Sequence, residues 1–347
     1  MNDPPRMTAL KAAPGQHRLT KPERLPVPSR RKRKRLIVAT TAIAMTATVI
    51  AFIVYAIERP AYSARPDPKQ PNFNLPTTPG SYIGLYTDGV PDSYAGVTKF
   101  TTATGVKPRV VLYYSGWSEP FRTIFAAAAA RNGAVPLIQI EPTNIKLSAI
   151  ASGKYDNYLN SYAKAVRAYG HPVILSFGHE MNGYWYTWSY RQSSPSAFVA
   201  AWRHIVTLFR AQGAVNVTWL WTINTIGTQS GVVSPTPWWP GASYVTWVGI
   251  DGYYYKHSTA FSSLFGPTIV AVRKLTGDPI LIAETAATSA AHQSEKITDL
   301  FTGTHIFGLL GFVWFDHNSQ GESFLIQSSA AFAAFRKGAS IYSGRRP

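Results

Sequence analysis

The sequence predicts an α/β protein, a (β/α)8 barrel preceded by a single transmembrane helix and a proline-rich linker. Three observations carry that expectation. Residues 36–57 are an uncharged run directly after a basic cluster, residues 58–79 hold six prolines, and beyond residue 80 eight short apolar runs alternate with longer amphipathic stretches.

Residues 1–35 read as a basic cytoplasmic tail, with eleven Lys and Arg against Asp3 and Glu23. The net charge of +17 is therefore concentrated outside the folded part, which argues against a nucleic-acid surface. "RRKRKR" (Arg30–Arg35) abuts "LIVATTAIAMTATVIAFIVYAI", 22 residues without a charge. As a helix this run spans about 33 Å, close to a bilayer's hydrocarbon thickness. The basic side stays cytoplasmic by the inside-positive rule, so residues 36–57 read as a signal-anchor and the rest as extracytoplasmic. Cleavage near "VYA" (Val54–Ala56), which would release a secreted protein, is the alternative. Residues 58–79 follow as a semi-rigid spacer.

Residues 80–340 hold the barrel. Its strand candidates are "YIGLY" (82–86), "RVVLYY" (109–114), "PLIQIE" (136–141), "PVILSFGHE" (172–180), "VTWLW" (217–221), "WVGIDGY" (247–253), "PILIAE" (279–284) and "GLLGFVWF" (308–315). Helical patterns separate them. "SPSAFVAAWRHIVTLFRAQG" carries Ser194 or Ser196 as a cap and Gly213 as a stop. Eight βα units in about 260 residues meet the requirement of the barrel. A doubly wound open sheet is the competing arrangement, but no G-x-G-x-x-G turn follows the first strand.

A barrel of this kind carries function where its strands end. Seven of the acids beyond residue 80 fall there: Asp88, Glu119, Glu141, Glu180, Asp251, Glu284 and Asp316. Aromatic residues gather at the same places, among them Trp117, Trp185, Trp188, Trp221, Tyr253, Tyr254 and Trp314. Carboxylates mixed with aromatic platforms suit a neutral, hydroxyl-rich ligand rather than a phosphate backbone.

Other chemistries lose their signatures. The absence of cysteine excludes thiolate nucleophiles and Cys-based metal sites. "HEMNG" has Gly183 where a zinc-binding H-E-x-x-H helix needs its second histidine, and no G-x-S-x-G elbow occurs. No metal or cofactor is expected. Glu180 at the end of the fourth strand and Glu284 at the end of the seventh can serve as the two carboxyl groups that glycoside hydrolysis places across one bond.

"GHEMNGYWYTW", followed in order by "YVTWVGIDGYYY", "PILIAET" and "GFVWFD", resembles glycoside hydrolase family 26, a β-mannanase-like group of retaining barrels. The resemblance covers about residues 80 to 340 and implies Glu180 as acid/base and Glu284 as nucleophile. It further implies that His179 orients ligand or carboxylate, that Tyr253 hydrogen-bonds the nucleophile, that Trp314 floors the central sugar subsite and that Trp185 lines the leaving-group side. Tyr254 or Tyr255 could take the place of Tyr253. Trp188 reads either as part of the binding surface or as core. The chain departs from many members by following the nucleophile with Thr285 and Ala286.

The expected activity is that of a membrane-anchored retaining endo-β-glycanase acting on a polysaccharide, first of all β-1,4-mannan. β-Glucan, β-1,3-xylan or an endogenous envelope glycan are alternative substrates. A non-catalytic sugar-binding barrel and a structural envelope protein are the alternatives from other classes.

Overall fold

The computed structural model describes residues 73–319 and 321–343. The basic tail, the apolar run 36–57 and the linker up to residue 72 lie outside the described residues. Among the described residues no helix is long and apolar enough to cross a membrane.

The eight expected strands form and close into a parallel barrel in chain order: β1 (Tyr82–Thr87), β2 (Val110–Gly116), β3 (Val135–Glu141), β4 (Val173–Phe177), β5 (Val217–Asn224), β6 (Trp247–Asp251), β7 (Ile280–Thr285) and β8 (Gly311–Asp316). Closure is made by β8 on β1, from Tyr82 opposite Gly311 to Thr87 opposite Asp316. The helices are α1 (Ala95–Thr104), α2 (Thr123–Arg131), α3 (Leu147–Ala151), α4 (Asp156–Tyr169), α5 (Pro195–Ala211), α6 (Phe261–Leu264), α7 (Gly266–Arg273), α8 (Gln293–Ile306) and α9 (Ser329–Ser343). α5 starts as its sequence predicts: the Ser194 hydroxyl accepts from the Ala197 N–H and Pro195 occupies the first turn. One βα unit lacks its helix. Between β5 and β6 the chain makes only two 3-10 turns, Thr236–Trp238 and Ala242–Tyr244, because Pro235, Pro237 and Pro240 deny it successive backbone donors.

Alternation along the strands sorts the side chains into two cores. Val110, Leu112, Leu137, Ile174, Leu220, Leu281 and Val313 fill the barrel, with Tyr82 and Trp247 in ring contact at 5.2 Å. The chain entering β1 touches this core, for Leu75 packs against it and the Tyr82 hydroxyl donates to the Pro76 carbonyl at 2.8 Å. The residues of opposite parity, such as Tyr113, Leu175, Trp221, Ile282 and Trp314, pack outward in the core shared with the helices.

The C-terminal ends of β4 and β5 each differ by three residues from the sequence expectation. β4 stops at Phe177 because Gly178 and Glu180 adopt left-handed backbone, φ 56° and 54°. β5 runs three residues beyond Trp221 and ends on Asn224.

Candidate active site

Continuing the inward parity of each strand to its C-terminal end puts one ring of side chains around the mouth. Tyr86 comes from β1, Tyr114 from β2, Glu141 from β3, Asn224 from β5, Asp251 from β6 and Phe315 from β8. Glu180 joins it from the turn after β4.

Glu284 reaches the ring through an irregularity. With Leu281 and Ala283 facing inward, regular alternation would send residue 284 toward the helices. β7 instead carries one extra residue against both neighbours: Ile250 and Asp251 face Ile282 and Glu284, and Phe312 and Trp314 face Ile282 and Thr285. The bulge turns the Glu284 carboxyl into the mouth. There the Tyr253 hydroxyl donates to Oε1 and the Tyr114 hydroxyl to Oε2. Burial pushes this carboxyl from 4.5 up to about 8. The two phenols oppose that shift, since both donate to the anion.

Glu180 has a different pair of donors. Asn224 Nδ2 lies 2.5 Å from Oε1 and the Trp185 indole N–H 2.8 Å from Oε2. Burial raises its pKa, and the Asn224 and Trp185 hydrogen bonds act in the opposite sense. Asn224 is itself fixed, with its backbone N–H donating to Asn182 Oδ1 at 2.9 Å and its carbonyl accepting from Asn182 Nδ2 at 2.9 Å. Trp185 can fold back over Glu180 because residue 183 is glycine: a Cβ there would meet the indole ring at 2.5 Å. The indole is 37% exposed, which leaves a face free for a ligand.

Between these carboxyls lies a third. Asp251 is fully buried, pairs with Asn224 on one side and Glu284 on the other in strand register, and neither of its oxygens has a hydrogen-bond partner among the described residues. Burial, and after it the charge of Glu180, holds its pKa well above the usual carboxylate range.

His179 is 2% exposed, and its Nε2 lies 3.1 Å from the Tyr186 hydroxyl. Burial pushes the imidazole down to about 3, so its 3.9 Å approach to Glu141 is not an ion pair. Trp188 is 1% exposed, stacks on Tyr186 at 4.3 Å and donates its indole N–H to the His179 carbonyl at 2.8 Å. It shapes the turn that carries Glu180 and offers no surface to a ligand, which corrects its reading as a substrate-binding residue. Trp314 is corrected likewise. It has outward parity on β8, is fully buried and meets Phe335 of α9 at 6.2 Å. The aromatic that β8 presents to the mouth is Phe315, stacked on Tyr86 at 4.7 Å and edge-on to Tyr253 at 5.8 Å. Tyr254, an alternative to Tyr253, is buried against Phe265, and Tyr255 is 41% exposed.

The other strand-end acids have structural partners. Asp88 pairs with His317, Glu119 lies 3.9 Å from Arg122, and Asp316 accepts the Ile326 N–H at 2.8 Å. Sequence reasoning missed Tyr114, Asn224, Tyr86 and Phe315, although each is found by counting in twos from an inward-facing residue of its strand.

Residues 143–294 match the family model described as glycosyl hydrolase family 26. Endoglucanase H of Acetivibrio thermocellus is 30% identical over 282 residues, which are 77% of this chain and 31% of that protein. A β-1,3-xylanase of a Vibrio species is 26% identical over 168 residues, 45% of this chain and 35% of that one. The chain thus spans about a third of the length of these curated relatives. An endo-β-1,4-mannanase structure from Cellulomonas fimi superposes with a TM-score of 0.61 at 16% identity, covering 76% of this chain and 71% of that one. A β-mannanase from Bacteroides ovatus gives 0.59 at 14% identity, covering 76% and 89%. At such identities the structural likeness is one of fold.

Proposed function

We infer, from a chain that belongs to glycosyl hydrolase family 26, that its barrel is a retaining endo-β-glycanase. The observation that supports this reading best is the pair of buried mouth carboxyls, Glu180 and Glu284, each with its own two donors. In the proposed mechanism Glu180, whose pKa burial raises, gives its proton to the glycosidic oxygen as the bond breaks. Glu284 attacks the anomeric carbon from the opposite face and forms a glycosyl-enzyme ester. Glu180, now the anion, takes a proton from the incoming water, which displaces Glu284 with net retention. Tyr114 and Tyr253 donate to the nucleophile in its charged form and so offset the burial that raises Glu284 to about 8, and turnover uses the fraction in which Glu284 is ionised while Glu180 keeps its proton. Trp185 positions the acid and presents its exposed face to a sugar ring on the leaving-group side.

The substrate we assign first is β-1,4-mannan, on the family resemblance, cut internally. A second reading, β-glucan, is favoured by the 30% identical relative named an endoglucanase. Burial of His179 against Tyr186 also removes one candidate partner for mannan's axial 2-hydroxyl. Reducing-end release by the full-length chain on mannan, mixed-linkage glucan, β-1,3-xylan and envelope polysaccharide decides between them. The mannan assignment expects mannan to be cut at least about tenfold faster, roughly 1.4 kcal/mol in transition-state binding. Faster cleavage of glucan would select the second reading. Binding without release from any polymer would make the barrel a sugar-binding protein.

We also propose that the enzyme is tethered with its barrel outside the cytoplasmic membrane, supported by the 22 uncharged residues that follow "RRKRKR". Reporters fused after position 70 check this: activity of an export-dependent reporter is expected, and activity of a cytoplasm-only reporter would contradict it.

A further inference from the structure

Away from the reacting carboxyls, three side chains from two different βα loops meet on the exposed surface. His257 lies in the loop after β6, while His292 and Glu295 stand one turn apart at the start of α8. Glu295 Oε2 is 2.8 Å from His257 Nε2, and its Oε1 is 3.4 Å from His292 Nδ1. One donor atom from each of the three residues lies within 4.8 Å of the other two, and the imidazoles stack with centroids 4.0 Å apart.

Two imidazoles and a carboxylate are a donor set for a borderline divalent ion. Zinc held at about 2.0 to 2.2 Å by a tetrahedral shell separates its ligand atoms by about 3.3 Å. The two contacts to Glu295, 2.8 and 3.4 Å, bracket that separation, and the imidazoles, now stacked at an interplanar angle of 29°, must swing apart to aim one lone pair each at a single ion. The exposed side leaves the fourth position to water.

A surface ion pair alone is the plainer reading, and two features go beyond it. A single carboxylate needs one cationic partner, yet two imidazoles are stacked face to face beside it, an arrangement that repels if both carry a proton. His292 also holds left-handed backbone, φ 58° and ψ 65°, a conformation uncommon outside glycine that sets the direction in which its side chain leaves the turn. Its N–H donates to the Ser289 carbonyl at 3.1 Å, and its carbonyl accepts the Glu295 N–H at 2.9 Å, so the turn fixes the backbone from which the imidazole reaches His257.

We propose that His257, His292 and Glu295 form a surface binding site for a zinc-class divalent cation. The bound ion joins the β6 loop to the first turn of α8. The same two loops meet at a bridge between Tyr254 and Ala287, and the β6 loop also carries Tyr253, the donor to Glu284. The ion is therefore a staple across one wall of the mouth, separate from the hydrolytic chemistry.

The test is calorimetric titration of the full-length, untagged, chelator-treated chain with zinc chloride, with thermal unfolding followed in parallel. One ion per chain is expected, bound in the micromolar range, with a rise in Tm that magnesium does not reproduce because it prefers an all-oxygen shell. His257→Ala and His292→Asn are each expected to weaken binding about tenfold or more and to abolish the rise in Tm. Asparagine tolerates left-handed backbone, so the second variant removes the imidazole without breaking the turn. Absence of saturable binding up to about 1 mM zinc, or unchanged affinity in both variants, would overturn the site.

Discussion

Glu180 and Glu284 are the same residue type, 7% and 8% exposed, and differ in what donates to them. Two phenols face Glu284, an amide and an indole face Glu180, and each set lowers the pKa of its own carboxyl. With Glu284 as the proposed nucleophile, activity falls on the acid side as this group takes a proton. Tyr253→Phe raises its pKa further, so the acid limb of kcat/KM against pH moves to higher pH. A hydrogen bond to a charged group is worth about 1.5 to 3 kcal/mol, so a loss of about ten- to a hundredfold is expected. With Glu180 as the proposed acid, activity falls on the basic side as this group ionises. Asn224→Ala removes a donor to the anion, which moves the basic limb to higher pH and leaves the acid limb in place. Steady-state pH profiles of the two variants check both statements, and a shift of the same limb in both would contradict them. The glutamates themselves were legible as strand-end acids at the ends of "PVILSFGHE" and "PILIAE". Their donors were less so, because Asn224 lies three residues past the predicted end of its strand and Tyr114 looked like any other strand aromatic.

Three backbone irregularities aim these residues. In the turn after β4, Gly178 and Glu180 both have positive φ, which swings the glutamate back over the barrel axis to Asn224 of β5. Gly183 leaves room for the Trp185 ring, and the extra residue in β7 reverses the side to which Glu284 points. Gly183→Ala tests the second of these without touching a polar group. Its Cβ would lie 2.5 to 2.8 Å from the indole, so Trp185 is expected to leave Glu180 Oε2. Loss of this one donor raises the acid's pKa, and the basic limb should move upward as it does in Trp185→Phe, with the acid limb unchanged. A profile identical to that of the parent chain would show that the contact is unimportant. Apolar runs bounded by turn residues made all eight strands visible in the sequence. A bulge leaves no such mark, since "PILIAET" is equally apolar on both faces. Parity also misplaces aromatics when the starting face is unknown: Trp314 and Phe315 are adjacent, and only the register of β8 tells which one faces the mouth.

At the scale of the whole molecule, a ring of buried acids makes stability depend on pH. Burial raises Glu284 to about 8, Glu141 to about 7 and Asp316 to about 6, so between about pH 4.5 and 8 the folded chain binds more protons than the unfolded one. Stability contributed by these groups therefore falls as pH rises through that window. His179 acts in the opposite direction: held down to about 3 by burial, it withdraws stability as pH drops below its unfolded value near 6.5. Glu284→Gln removes one of the buried carboxyls, and its Tm should exceed that of the parent by about 2 °C or more at pH 8 and by less at pH 5. Thermal unfolding at the two pH values checks this, and equal gains would contradict it. Such a gain in a variant without hydrolytic activity would mark Glu284 as a group kept for chemistry at the expense of the fold. The most direct test of the two roles is the stereochemistry of azide rescue with an activated aryl β-glycoside in full-length Glu180→Ala and Glu284→Ala. Glu180→Ala still forms the glycosyl-enzyme and should yield the β-glycosyl azide, whereas Glu284→Ala cannot form it and should yield the α-azide. The same anomer from both variants would contradict the assignment of acid/base to Glu180 and nucleophile to Glu284.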